Sequence, residues 1–161
     1  MGKASKASKE AFKELFPMWN QIEEVKKEAD TLMMNKMIKH QEELNLAYSA
    51  GLFDGEGCIM KSITMKYNPV MKKRYPCNTI RVEVCNTDFG LIEYLHGFFN
   101  LGAIVKIPPR KTATGKLRKP QLRWNLTHRQ AYQFLKRVLK YLKATDKIKK
   151  AHAVIEHYES R

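Results

Sequence analysis

Ala47-Tyr48-Ser49-Ala50-Gly51-Leu52-Phe53-Asp54-Gly55-Glu56-Gly57-Cys58-Ile59 is the stretch on which the fold turns. Residues 45–55 are small and apolar and read as a helix, which Gly57 ends. Gly51 and Gly55 are four apart and share one helix face, and a face that small lets two helices approach almost backbone to backbone. Asp54 and Glu56 stand at the C-terminal end, where the helix dipole opposes negative charge unless something compensates it. Two such helices packed together would gather carboxylates at one point. Such a cluster attracts a divalent cation that prefers oxygen ligands, such as Mg²⁺. The same residues also fit an ordinary turn holding an Asp and a Glu.

Downstream, residues 58–66 and 77–86 read as strands, with Asn68-Pro69 and Tyr75-Pro76 as punctuation between them. Thr87 is a candidate cap for a helix over 88–100. Residues 103–107 form a third strand, a basic loop runs from Pro108 to Pro120, and 121–127 form a fourth strand. Thr127 then caps a helix from about 129 to 142, and a last helix follows Asp146. The order αββαββα(α) predicts an α+β domain: a four-stranded antiparallel sheet with helices on one face.

Upstream, the composition changes. The chain has 161 residues with 30 Lys+Arg against 16 Asp+Glu, a formal charge of +14. Residues 1–44 balance eight Lys with eight acids, so the whole excess lies on 45–161. This boundary predicts a helical N-terminal extension over 1–43 and a main domain over 44–161. In the extension, Phe12, Leu15 and Phe16 form one stripe before Pro17 interrupts. Trp19, Ile22, Val25, Ala29, Leu32, Met33, Met37 and Leu44 follow at helical spacing, an apolar stripe that needs a partner.

A charge this large calls for an anionic partner, nucleic acid before a membrane surface. No apolar run approaches the roughly 20 residues that span a bilayer. The opening MGKASKASKE has no apolar core of a secretory signal, and Cys58, Cys77 and Cys85 make an odd set without CxxC spacing. The expectation is an intracellular protein, neither secreted nor membrane-bound.

The strand alternation separates two sheet faces. In 79–85 and 121–127 the even positions are apolar, so the odd ones face outward. That assigns Thr79, Arg81, Glu83, Gln121, Arg123 and Asn125 to an open face, joined by Met60, Ser62, Thr64 and Lys66 from the first strand and Lys106 from the third. Arg, Gln, Asn and Glu read base edges in a major groove, although an ordinary solvated face looks the same. In the basic loop, Arg110, Lys111, Lys116, Arg118 and Lys119 either touch phosphates or turn freely in solvent.

The segment AYSAGLFDGEGCI resembles the signature of the LAGLIDADG homing endonucleases. Ala50, Gly51, Leu52, Asp54 and Gly57 match it, Ser49 replaces the first leucine, Phe53 an aliphatic residue, Gly55 is a common variant, and Glu56 replaces the second aspartate. The αββαββ order and the closing helical pattern around Lys147-Ile148-Lys149-Lys150 also match, so the resemblance covers roughly 44–158. It implies a saddle-shaped sheet and a motif helix at a central interface. This chain has the motif once, which implies a homodimer meeting through Ala50, Gly51, Phe53, Asp54 and Gly55. It further implies that Glu56, with Gly55 beside it, holds catalytic Mg²⁺, for which Mn²⁺ substitutes, while Asp54 is mainly structural. Lys147, with Lys149 as competitor, would support the active site, and Asn86 would position solvent.

The function so implied is a homing endonuclease that makes a staggered cut in a long near-palindromic double-stranded DNA site, in a bacterial or phage-infected cell or an organelle. The alternative on the same fold is a catalytically silent nucleic-acid binder, an RNA maturase or a transcriptional regulator. A generic basic structural protein is the third reading.

Overall fold

The computed structural model describes residues 6–160, with side-chain surroundings from Glu24 onward. The expected stripe over Phe12, Leu15, Phe16, Trp19 and Ile22 therefore lies outside the described side chains. The chain divides into two compact units, 1–44 and 45–161.

Helix α1 runs over Lys6–Glu56 without a break, although the sequence suggests an interruption at Pro17. Proline's fixed φ is compatible with a helix, and its missing N–H forfeits one hydrogen bond, while Leu15 and Met18 on either side favour helix. In the first unit, Val25, Leu32, Met33, Met34, Met37 and Ile38 are exposed.

In the second unit, α1 passes into strand β1 (Gly57–Asn68), β2 (Lys73–Asn86), α2 (Phe89–Phe99), β3 (Ala103–Ile107), β4 (Gln121–Thr127), α3 (Arg129–Val138), a 3₁₀ turn at Leu139–Tyr141, and α4 (Thr145–Glu159). The four strands form one antiparallel sheet in the order β1-β2-β4-β3. The fold is the expected α+β layer, an open sheet with its helices packed on one face.

Alternation drives this packing. Leu122, Trp124 and Leu126 of β4 and Ile80, Val82 and Val84 of β2 are buried against Ile92, Leu95 and Phe99 of α2 and Phe134 and Leu135 of α3. Phe99, Trp124 and Phe134 form a ring cluster with centroids 4.9–5.5 Å apart, and Phe53 from the end of α1 meets Phe134 at 5.1 Å. The Trp124 indole N–H donates to the Leu101 carbonyl at 2.7 Å, so the largest buried side chain has its polar atom satisfied.

Several boundaries differ from the sequence reading. Pro76 lies inside β2, opposite Met65, rather than breaking it. Over 73–80 this strand has only β1 beside it, and a proline is tolerated where one side has no ladder. Asp88, not Thr87, caps α2, accepting from the Gly90 N–H at 3.0 Å; a carboxylate suits the positive end of a helix better than a hydroxyl. Thr127 stays in β4 opposite Arg81, and His128 precedes α3 with φ 49°. The last helix, α4, starts at Thr145 rather than after Asp146, with Lys147 in its first turn.

Candidate active site and nucleic-acid interface

The motif helix is the last part of α1, and its faces divide sharply. Ser49, Ala50 and Phe53 are wholly buried in the core of their own chain, while Ala47, Gly51 and Gly55 are exposed. Nothing lies within 4 Å of a Cβ built on Gly51 or Gly55. Ala50 and Phe53, expected at a dimer interface, are therefore core residues. A helix with apolar side chains all round does not reveal from its spacing which stripe turns inward. Gly57 follows because nothing larger fits: a Cβ there would stand 2.0 Å from Phe53 Cδ2 and 2.5 Å from the Phe53 carbonyl.

Two reciprocal contacts tie the end of α1 to the start of α4. Asp54 Oδ2 accepts from the backbone N–H of Lys143 at 2.7 Å and of Ala144 at 3.3 Å. In return, Lys147 Nζ donates to the carbonyls of Phe53, at 2.7 Å, and Asp54. The ammonium stands at the negative end of the α1 dipole and satisfies carbonyls the helix leaves unpaired. It also lies 5.4 Å from the centre of the Phe53 ring. Asp54, expected at the dimer interface, thus spends one carboxylate oxygen within its own chain; the other, Oδ1, is buried without a partner. Lys149 is exposed, so Lys147 is the lysine that α4 brings to the motif.

Glu56 is exposed at the last position of α1. Gly57 stands opposite Val84, two residues before Asn86, so Glu56 and Asn86 lie at the same end of the sheet. Asn86 Oδ1 accepts from the Asp88 N–H at 2.8 Å and helps begin α2. One chain offers the Glu56 carboxylate and the Gly55 carbonyl, hard oxygen donors of the type Mg²⁺ takes. Among the described residues, no cluster of three or more His, Cys, Asp or Glu can hold a metal ion. The donor set is right in kind and incomplete in number within one chain.

The open sheet face follows the register. Met60, Ser62, Thr64 and Lys66 of β1 stand opposite Arg81, Thr79, Cys77 and Tyr75 of β2. Arg81, Glu83 and Cys85 stand opposite Thr127, Asn125 and Arg123 of β4, and Gln121 opposite Ile107. Lys106 is the exception. It pairs with buried Leu122 and so belongs to the helix-side face; β3 contributes Ala103, Val105 and Ile107 to the open face instead. Its charge suggests an outward place, but the two-residue period decides the face. Tyr75 escapes a reading of the sequence because Pro76 resembles a break.

Glu83 organises the centre of this face. Its side chain is 13% exposed, and its Oε1 lies 3.3 Å from Arg81 Nη1 and 3.5 Å from Arg123 Nη1. Arg123 Nε and Asn125 Oδ1 are buried and unpartnered, a donor and an acceptor side by side on adjoining open-face positions. Thr64 and Thr79 share a hydroxyl hydrogen bond of 2.8 Å across the strands. At the motif end, the basic loop has structure of its own. Lys111 bridges Leu117, Arg118 N–H donates to the Arg110 carbonyl at 2.9 Å, and Thr112 N–H donates to the Lys116 carbonyl at 2.8 Å. Arg110, Lys111, Lys116, Arg118 and Lys119 are all exposed on it.

No protein-family model matches the sequence, and no curated protein does. Solved structures do. The homing endonuclease I-CvuI in complex with its target, in the presence of calcium, superposes with a TM-score of 0.56 at 19% identity, over 74% of this chain and 69% of that one. The same enzyme with the I-CreI target, in the presence of magnesium and with the DNA not cleaved, gives 0.55 at 19% identity over 74% and 68%. Likeness at that identity is likeness of fold: this chain has the fold of the LAGLIDADG homing endonucleases.

Proposed function

We propose that the protein is a homodimeric, divalent-metal-dependent endonuclease that cuts double-stranded DNA at a long, near-palindromic site. The observation that carries this reading is the exposed Ala47–Gly51–Gly55 stripe ending in Glu56, with the Lys147 ammonium held against the carbonyl two residues earlier. Two copies pairing along that stripe bring two Glu56 carboxylates and two Gly55 carbonyls together, completing the oxygen set that one chain lacks. A divalent ion held there would lower the pKa of a bound water and stabilise the leaving 3′ oxygen. Lys147 fixes the end of the helix that presents Glu56 and keeps a positive charge near it. Asp54 holds the same helix end to α4, and Asn86 borders the site from the end of β2.

DNA binding is assigned to the open faces of the two copies, laid along the major groove. Arg123, Asn125, Gln121 and Arg81 present donors and acceptors of the kinds that distinguish base edges. The unpartnered Arg123 Nε and Asn125 Oδ1 support this, because buried polar atoms are ordinarily satisfied, by water or by a ligand. Arg110, Lys111, Lys116, Arg118 and Lys119 neutralise phosphates from the loop.

The test is selection from random duplex DNA in Ca²⁺, followed by transfer of the bound pool to Mg²⁺ or Mn²⁺. The wild type cuts a near-palindromic consensus, and Glu56→Gln binds it without cutting. A consensus that the wild type leaves whole would replace this reading with a silent regulator. No duplex consensus, with capture of structured RNA instead, would favour a maturase.

A further inference from the structure

Beyond the pair Met60–Arg81, β1 and β2 continue as a two-stranded ribbon, because β4 ends at Thr127 opposite Arg81. The ribbon pairs Lys61–Asn68 with Lys73–Ile80, and at roughly 3.3 Å per residue it projects about 26 Å. Continuing the sheet along the groove, a ribbon of that length would carry its tip to the outer flank of the site.

The tip is Pro69-Val70-Met71-Lys72, and its chemistry is unusual for a solvated turn. Val70 is 90% exposed and Met71 68%. Asn68 Oδ1 accepts from the N–H groups of both, at 2.9 and 3.1 Å, so the backbone polar groups fold inward while the apolar side chains stand out. Pro69 restricts φ, and Lys72 takes the left-handed conformation at φ 50°. The tip is a preformed point. Lys66, Lys72, Lys73 and Arg74 surround it, all exposed, and no Asp or Glu occurs between Gly57 and Val82.

We infer that this tip is an apolar wedge which enters a base step of duplex DNA at each outer flank of the bound site and bends the duplex there. The inference rests on the DNA reading above and adds to the ribbon a role that base-edge recognition does not require. An exposed apolar point ringed by cations needs an anionic partner that also offers an apolar interior. The base stack behind its phosphates is such a partner, and Met and Pro are among the apolar residues that insert between base steps. Two copies would place one wedge in each half of the site.

The test uses the full chain in Ca²⁺ with its selected duplex, carrying 2-aminopurine at successive positions, together with end-labelled energy transfer to measure bending. The wild type should raise the fluorescence at one step in each flank and shorten the end-to-end distance. Val70→Ser/Met71→Ser should abolish both signals and weaken binding about tenfold. Its melting temperature should stay unchanged, since both side chains are exposed. Tight binding by the wild type with no fluorescence rise at any step overturns the wedge and leaves the nuclease reading standing. A double variant that retains the rise and the bend also overturns it. Failure to select any duplex overturns both readings together.

Discussion

Lys147 tests the whole construction of the motif end, because its removal has a cost that the geometry sets. In Lys147→Met a chain of similar length remains, but the ammonium that serves the carbonyls of Phe53 and Asp54 is gone. A hydrogen bond to a charged group contributes about 1.5–3 kcal/mol, and a cation at a helix C-terminus about 0.3–1 kcal/mol. Lys147 is half-buried, so neither contribution reaches its upper limit, and the two overlap. The loss should be about 2 kcal/mol, or roughly 4–12 °C in melting temperature for a domain of this size. Lys149→Met, at an exposed position on the same helix, should stay within about 0.5 kcal/mol. Urea unfolding followed by far-ultraviolet circular dichroism measures both. Equal stability of the two variants would refute the claim that Lys147 caps α1.

The two glycine environments predict opposite outcomes. Gly57→Ala drives a Cβ into the Phe53 ring and carbonyl and should cost about 3 kcal/mol or leave the chain insoluble, read by thermal melting. Gly51→Leu meets open space within one chain, so it should leave the fold intact while converting the proposed dimer to monomer in sedimentation experiments. A stable Gly51→Leu dimer would remove the interface from this stripe. Replacing Arg110, Lys111, Lys116, Arg118 and Lys119 by Ser should flatten the salt dependence of DNA binding by about 0.9 for each phosphate no longer neutralised, with little change in the consensus. An unchanged slope would mean the loop touches no phosphate.

The sheet was legible wherever one strand face is buried. In β4 the alternation of Leu122, Trp124 and Leu126 with Arg123 and Asn125 leaves no other register. At the motif end the resemblance names Lys147 with Lys149 as its competitor, and it is Lys147 whose ammonium meets the end of α1. What escaped were features set by partners distant in sequence. Asp54 reads as mainly structural as well as interfacial, but nothing in the string names Lys143 and Ala144 as the partners it holds. Lys106 reads as outward until Leu122 is found opposite it. Pro76 reads as a break because a string of letters does not say that one side of the strand is bare. Ala50 and Phe53 lie on a helix apolar on several sides, and only packing decides which of them the core claims.

The clasp between α1 and α4 also has a consequence for synthesis. Lys147 meets the Phe53 carbonyl across 94 positions of chain, and Lys143 meets Asp54 across 89. A ribosome makes the motif well before the residues that fix its end. Until Lys143–Lys147 have left the exit tunnel, the end of α1 lacks its capping ammonium and the Asp54 carboxylate its backbone donors. A chain cut short before α4 would carry the acidic motif on a frayed helix end. The order of translation thus withholds a finished motif end from every fragment that stops short of α4.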